Sequence, residues 1–174
     1  MKKGFTLVEL LIAFFIIGTL STVILLNYRS GQEQASLTRA AAAFETSMRK
    51  AQNLAVASSE FEGSIPCGYG LHYLDDRNYS LYVGQRGGAA RCEFSNRNYQ
   101  SGLDSLYESV KVIEPKVVFK NSFPDIFFEP PDPATYIDNS RAVGVSTLIE
   151  VCLESNLSVC RGITIDTAGR IIIQ

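Results

Sequence analysis

The stretch that decides the fold is GFTLVELLIAFFIIGTLSTVILL, which occupies residues 4–26. From Phe5 to Leu26 its only charged side chain is Glu9. An apolar run of this length can cross the hydrocarbon core of a bilayer as one helix. No small-residue cleavage site follows it, as one would in a secretory signal peptide. The sequence therefore predicts a single transmembrane helix over residues 5–28.

The topology of this predicted helix follows from the charges beside it. Lys2 and Lys3 precede the apolar run, and positive residues mark the end that stays in the cytoplasm. Everything after Leu26 is then expected on the far side of the membrane. We expect a single-pass protein of the inner, or cytoplasmic, membrane with an extracytoplasmic domain.

The beginning of the run carries a family resemblance. Gly4-Phe5-Thr6-Leu7-Val8-Glu9 resembles the site that prepilin peptidase reads in type IV pilins and type II secretion pseudopilins. This resemblance implies a leader peptide of residues 1–4, cleavage between Gly4 and Phe5, and N-methylation of Phe5. It also implies prepilin peptidase as a partner.

Glu9 is the second feature of this segment. A carboxylate inside an apolar span costs a few kcal/mol unless it is paired, so such acids are candidates for function. Cleavage would create an ammonium group at Phe5, and methylation would leave it charged. We expect Glu9 to pair with the Phe5 ammonium of a neighbouring subunit and so to fix the stagger between helices. The alternative is an ordinary membrane anchor with an isolated acid.

The helical pattern continues beyond the apolar run, over residues 29–59. Apolar side chains recur there at spacings of three and four, which is typical of an amphipathic helix. A stripe of this kind predicts packing on a sheet, and a coiled-coil seam is the alternative. The stripe consists of Leu37, Ala41, Phe44, Met48, Ala51 and Ala55.

Residues 60–174 have the pattern of a β-rich domain, because glycines and prolines separate short runs of Tyr, Val, Ile and Phe. A hairpin is predicted around the turn at residues 75–78, and a long surface loop over residues 84–107. Residues 130–133 contain three prolines and predict a rigid loop. Further strands are expected at residues 110–113, 116–119, 126–129, 150–153, 159–165 and 170–173. The predicted fold class is α+β, a long N-terminal helix packed on an antiparallel sheet, as in the pilin fold.

The four cysteines are interpreted through the compartment, since exported proteins form disulfides. A hairpin centred on Asn156 places Cys152 opposite Cys160, at the separation of a disulfide. Cys67 and Cys92 would then form the second bridge. Free thiols and a zinc site are the alternatives, but there is no C-x2-C pair. The same register places Val151 opposite Arg161 and Leu153 opposite Val159.

Other candidate sites are weaker. The only histidine, His72, is expected to be a half-exposed strand residue. The acids of the proline-rich loop could bind calcium, although solvated loop acids are the other interpretation. These acids are Asp125, Glu129, Asp132 and Asp138. No pattern places a base next to a nucleophile, so we predict no enzyme, no cofactor, no resident metal and no small-molecule substrate.

A broader and more diffuse pattern resembles the GspH/FimT group of minor pseudopilins. It includes Arg39, Ala43 and residues 49–51 on the helix, residues 68–71 at the first strand, and residues 163–173 around Gly169-Arg170. The resemblance implies a low-copy subunit near the tip of a type II secretion pseudopilus or type IV pilus. Its implied partners are other pilins, the assembly platform and, before assembly, membrane lipid.

DNA uptake is the alternative function within that group. Some members contact DNA through a C-terminal Gly-Arg followed by another arginine, and here Arg170 is followed by three isoleucines. The net charge is -2, so the electrostatic attraction on which DNA binding depends is weak. A membrane-anchored adhesive domain is a third hypothesis.

Overall fold

The computed structural model describes residues 6–85, 91–111, 114–130 and 134–174. Helix α1 (Leu7–Val56) contributes residues to two compact units, Met1–Ala35 and Ser36–Gln174. The cleavage site predicted at Gly4 and Phe5 lies outside the described residues.

The second unit is built around the C-terminal half of α1. Every member of the predicted stripe is buried, from Leu37 at 1% exposure to Ala55 at 0%. The stripe packs in one core with side chains of two antiparallel sheets. The prediction that the stripe packs on a sheet, and not in a coiled-coil seam, is therefore confirmed.

Nine strands lie in the described part of the second unit. Five form one sheet in the order β3-β2-β1-β5-β6, and four form another in the order β4-β7-β8-β9. Their bounds are β1 (Gly68–Asp75), β2 (Asn78–Gly84), β3 (Ser105–Lys111), β4 (Val117–Phe119), β5 (Ile126–Glu129), β6 (Ala134–Ile137), β7 (Ser146–Leu153), β8 (Asn156–Asp166) and β9 (Ile171–Ile173).

The hairpin predicted around residues 75–78 is confirmed. Strands β1 and β2 pair antiparallel, with Leu71 opposite Leu81 and Tyr73 opposite Tyr79. In the turn, Asp75 accepts hydrogen bonds from the backbone N–H of Arg77 and from the amide of Asn78, both at 2.8 Å. These bonds lower the pKa of Asp75, the largest contribution coming from Asn78. The Asx-type turn thus fixes the register of the hairpin.

The C-terminal strands follow the predicted meander, with one correction. Cys152 lies opposite Cys160 and Val151 opposite Arg161, as expected. Leu153 pairs with Asn156 and not with Val159, because the register shifts between Cys152 and Leu153. An irregularity of this kind adds unpaired residues to one strand, and alternation of side chains does not reveal it.

Strand β6 and the start of strand β3 were not predicted. The rigid loop predicted at residues 130–133 lies largely outside the described residues, and strand β6, which follows it directly, pairs with β5, Ile126 lying opposite Ile137. The long loop was expected to reach Tyr107, whereas β3 already begins at Ser105 and pairs with β2. Strand β3 is at a sheet edge and leaves Leu106 and Tyr107 exposed, so its apolar pattern has no buried face to mark it.

Aromatic rings fill the core between the helix and the sheets. Phe44 makes edge-to-face contacts with Tyr79, Phe119 and Phe123 at centroid distances of 4.8, 5.4 and 5.4 Å. The hydroxyl of Tyr79 is hydrogen bonded to Ser47 at 2.8 Å. Burial raises the pKa of Tyr79 to about 12, although the bond to Ser47 opposes this rise. The core thus accepts a polar atom because the helix provides its partner.

The other face of the five-stranded sheet is also covered. A second cluster, here called the outer-face cluster, contains Cys67, Tyr82 and Phe127, with Cys92, Tyr99 and Tyr136 packed against them. Glycines make room for its rings: a Cβ on Gly70 would lie 2.5 Å from the ring of Tyr82. A Cβ on Gly84 would lie 2.5 Å from the ring of Phe127. No side chain larger than hydrogen fits at either position without movement of a packed ring.

Candidate functional site at the N terminus

The first residues of α1 form a hydrogen-bonded cap. The backbone N–H and the hydroxyl of Thr6 both donate to Oε2 of Glu9, at 2.9 and 3.0 Å. The backbone N–H of Glu9 donates in return to the hydroxyl of Thr6 at 3.3 Å. This reciprocal arrangement is a capping box, and it satisfies donors that the first helical turn leaves free. The carboxylate of Glu9 is therefore bonded within its own chain.

Thr6 is a capping residue that the sequence reasoning did not identify. The pattern Thr6-x-x-Glu9 directly before an apolar run is the known signature of a capping box. The role expected for Glu9 from the sequence is a pairing with a neighbouring subunit only. The structure adds an intramolecular role, in which Glu9 closes the N-terminal end of the helix.

The surface of the helix after this cap is apolar on all sides. The side chains of residues 6–22 are exposed, including Leu7 at 77%, Phe14 at 65% and Phe15 at 73%. A helix that is hydrophobic all round is one that is buried in a larger assembly or in a membrane. Exposed apolar area of this extent marks an interaction surface.

Two polar side chains within this surface are satisfied by the helix itself. The hydroxyl of Thr19 donates to the carbonyl oxygens of Phe15 and Ile16, and that of Thr22 to the carbonyl of Gly18. Such bonds let hydroxyl groups enter apolar surroundings without an unpaired donor.

Within the described residues, no helix combines the length and the sustained hydropathy required for a membrane crossing.

The N-terminal segment matches a known family. A family model described as "Prokaryotic N-terminal methylation motif" matches residues 1–25. The motif is the signal of type IV pilins and pseudopilins, so it supports assignment of the chain to the pilin-like group and indicates a substrate of prepilin peptidase. Its α+β architecture, a helix packed on antiparallel sheets, is consistent with the pilin fold. No curated protein and no solved structure matches the chain.

The motif also indicates the kind of protein and its partners. It indicates a structural subunit, first anchored at a membrane and then present in a filament. Other pilins and prepilin peptidase are the partners that it implies. The match is confined to the N-terminal segment. It does not identify the chain as a member of the GspH/FimT group.

The cysteines are paired in two disulfides. Cys67 is bonded to Cys92 and Cys152 to Cys160, the pairs expected from the sequence. No cysteine is free. The first bridge ties a loop, here called the outer loop (residues 91–104), to the residue directly before strand β1. The second bridge joins β7 to β8 near their turn. With all four sulfurs in disulfides, the zinc alternative has no thiolate ligands.

The outer loop is further held by an arginine that the sequence analysis did not single out. Arg97 forms an ion pair with Glu129 at 3.0 Å and lies 4.4 Å from the ring centroid of Tyr136. The side chains of Arg97 and Glu129 are 12% and 18% exposed. Ion pairs with this degree of burial are screened less than surface pairs. The hydroxyl of Tyr82 donates to the carbonyl oxygen of Arg97, which closes the loop onto the sheet.

His72 belongs to the same face and has a defined partner. Its Nδ1 lies 2.7 Å from Oδ1 of Asp125, and its ring packs on that of Tyr99 at 4.5 Å. The second oxygen of Asp125 accepts the backbone N–H of Tyr99 at 2.7 Å. His72 is therefore a partly buried residue that connects the outer loop to β1, in agreement with the expectation of a half-exposed strand residue.

The acids proposed as calcium ligands have different partners in the structure. Asp125 bonds to His72, Glu129 to Arg97, and Asp138 to the amide of Asn98 at 2.8 Å. Asp132 lies outside the described residues. In the part of the chain that the structure describes, no three acidic, histidine or cysteine side chains come close enough to hold a metal ion.

The arginine proposed to contact DNA is also paired. The guanidinium of Arg170 lies 3.0 Å from Oδ2 of Asp166. The backbone N–H of Arg170, followed by its guanidinium, lowers the pKa of Asp166. Asp166 is thus ionised at neutral pH and offsets the charge of Arg170. This ion pair offsets the positive charge through which Arg170 would attract the phosphate backbone of DNA.

Proposed function

We propose that this chain is a minor pseudopilin or pilin subunit, incorporated at or near the tip of a type II secretion pseudopilus or type IV pilus and acting in protein secretion. One observation carries the proposal: a methylation motif leads directly into an exposed helix that is apolar on all sides and contains one capped acid. A helix with this surface needs other apolar helices or lipid around it.

The proposed domain organisation assigns a role to each segment. Residues 1–4 are the leader, residues 5–28 anchor the chain in the inner membrane, and residues 29–59 contain the amphipathic continuation of the helix, which ends at Val56. Residues 60–174 form the β-rich domain outside the cytoplasm. Two disulfides support that location, because disulfides persist in oxidising compartments. Contact with the assembly platform and with lipid belongs to the stage before incorporation.

The capping box gives Glu9 two successive partners in this scheme. In the membrane, Thr6 supplies two donors to the carboxylate, which offsets part of the cost of placing an acid in an apolar span. In the filament, the methylated Phe5 ammonium of a neighbouring subunit takes over as a charged partner. Exchange of neutral donors for a cation adds the attraction between two opposite charges, which is stronger where water is excluded than in bulk water.

The proposal is tested by leader cleavage and assembly in the same cells. Replacement Gly4→Val should leave the leader of residues 1–4 attached, as read by intact mass, and should abolish incorporation into filaments. The matched control is Gly31→Ala, since a Cβ at Gly31 meets no neighbouring atom within 4 Å. A Gly4→Val chain that keeps its leader and still functions normally would contradict the proposal and favour a membrane-anchored adhesive domain.

The pairing of Glu9 is tested separately from cleavage. Glu9→Gln retains most of the cap but cannot form an ion pair, so we expect normal cleavage with at least a tenfold loss of incorporation into filaments. Glu33→Gln on the same helix, outside the apolar run, is the control. Normal assembly of Glu9→Gln would exclude the ion pair while leaving the cleavage intact.

A further inference from the structure

The sequence contains two Asn-x-Ser tripeptides, Asn78-Tyr79-Ser80 and Asn156-Leu157-Ser158. This tripeptide, with any residue but proline in the middle, is the acceptor sequence for N-linked glycosylation. Modification requires that the asparagine amide and the serine hydroxyl are accessible in an exported protein. The structure distinguishes the two tripeptides sharply.

The first tripeptide is closed. Ser80 is 0% exposed and lies on β2, between β1 and β3. The amide nitrogen of Asn78 donates to both carboxylate oxygens of Asp75, each at 2.8 Å. An enzyme could not reach the hydroxyl without separating strands, and it could not use the amide nitrogen without breaking both bonds to Asp75.

The second tripeptide is open. It begins at the turn between β7 and β8, where all side chains from Glu154 to Ser158 are exposed. The side-chain oxygen of Asn156 accepts the backbone N–H of Ser158 at 3.0 Å. This bond occupies the oxygen and orients the carboxamide. Within the described residues, the nitrogen Nδ2 of Asn156 has no hydrogen-bond partner.

The base of this turn is rigid. The disulfide between Cys152 and Cys160 joins the strands just below the turn, and the backbone N–H of Glu154 donates to the carbonyl of Lys116 at 2.8 Å. Glu154 also forms an ion pair with Arg77, and this pairing lowers the pKa of Glu154. The acceptor is therefore presented on a fixed hairpin and does not need local unfolding to become accessible.

We propose that Asn156 is an N-glycosylation acceptor. The donor is an oligosaccharide linked to a polyprenyl diphosphate. In the transfer, Nδ2 of Asn156 forms a bond to the anomeric carbon of the first sugar, and the bond from that carbon to the diphosphate oxygen breaks. The polyprenyl diphosphate leaves with the electron pair, and Nδ2 gives up one proton. This inference rests on the extracytoplasmic location in the proposed function.

The first experiment uses the full-length chain, purified in detergent from cells that express an oligosaccharyltransferase and its polyprenyl-diphosphate-linked glycan. Peptide mass mapping should show the glycan mass on the peptide that contains Asn156. Asn156→Gln and Ser158→Ala should each lower occupancy at least tenfold, whereas Ser158→Thr should retain it. Asn78→Gln is the matched control and should leave occupancy unchanged.

Intact mass separates this proposal from the proposed function, because it also reports leader loss. A chain cleaved after Gly4 but unmodified at Asn156 overturns the glycosylation site and leaves the filament function standing. A glycan on Asn78 with Asn156 unmodified, or a glycan that survives in Asn156→Gln, also overturns it. A second experiment incubates the purified full-length chain with purified transferase and donor, so that export is not required. Failure of transfer to Asn156 there overturns the site even if the leader is retained in cells.

Discussion

At the scale of single residues, the bond between Ser47 and Tyr79 connects the helix to the sheet inside the core. Both residues are buried, and the two oxygens are 2.8 Å apart. The phenol of Tyr79 has this hydroxyl as its partner at the helix face. Loss of one member of such a pair leaves a buried polar atom unpaired.

We predict that Ser47→Ala lowers the free energy of unfolding by about 1–3 kcal/mol. Tyr79→Phe removes the unpaired hydroxyl, so the double variant should be more stable than Ser47→Ala alone. Urea unfolding of residues 36–174, a compact unit with its own core, measures all four members of the cycle. If the effects of the two substitutions simply add, the bond contributes nothing to stability.

The same tyrosine predicts a dependence on pH. Burial raises the pKa of Tyr79 from 10.0 to about 12, so the folded state holds its proton where the unfolded chain loses it. Its contribution to stability is complete below pH 10 and is lost as the pH rises towards 12, with a slope of up to ~1.4 kcal/mol per pH unit. Unfolding at pH 9, 10 and 11 should show a smaller slope for Tyr79→Phe. Equal slopes would contradict the role of Tyr79.

At this scale, the sequence is informative where the signal is local. Glu9 stands out because it is the only charge between Phe5 and Leu26, and the Thr6-x-x-Glu9 pattern was equally visible although it was not used. The pairs Arg97–Glu129 and His72–Asp125 could not be predicted in this way. Their members are separated by 32 and 53 residues, and only the assembled sheet brings them together.

At the scale of elements, the stripe on α1 is the feature on which both sheets pack. Phe44 is 2% exposed and touches three aromatic rings, whereas Val56 on the same helix is 50% exposed. The two positions therefore give a matched comparison of a core and a surface substitution.

We predict that Phe44→Ala lowers the free energy of unfolding of residues 36–174 by about 3–5 kcal/mol, because it removes a buried ring and leaves a cavity. Val56→Ala should change it by less than ~0.5 kcal/mol. Thermal and urea unfolding measure both. Similar losses for the two variants would show that Phe44 does not organise the core.

The elements differ in how far the sequence could predict them. The stripe and the β1–β2 hairpin were predictable, because both depend on residues close together in the sequence. The stripe shows as a spacing of three and four, and the hairpin as a polar turn between two alternating segments. Strand β6 was not, since it has only four residues and directly follows a proline-rich segment. Neither was the register shift after Cys152, because an irregularity depends on how two strands meet.

At the scale of the whole molecule, the balance of charge separates filament assembly from DNA uptake. The net charge is -2, and the arginine nearest the C terminus is paired with Asp166. Non-specific DNA binding grows with the number of phosphates that a protein neutralises. Because Arg170 is paired with Asp166, it adds little electrostatic attraction for the phosphate backbone.

We predict that residues 36–174 do not bind double-stranded DNA at 50 mM salt, as measured by fluorescence anisotropy. Asp166→Asn releases Arg170 from its ion pair and should give the strongest DNA binding of the variants tested. Arg170→Ala in the same background should remove any such gain. Tight, salt-sensitive binding by the unmodified domain would favour the DNA-receiving alternative.

The outer-face cluster has a consequence for biosynthesis. Tyr82 leaves the ribosome well before Phe127 and Tyr136, the residues that pack near it. At ~5–20 residues per second, its face of the hairpin stays uncovered for a few seconds. Cys67 has already emerged when this interval begins and Cys92 emerges within it, so a thiol oxidant on the far side of the membrane can reach both before β5 arrives and buries Cys67. The order of translation thus limits the time in which this pair can be oxidised, because access to Cys67 ends when the sheet is completed.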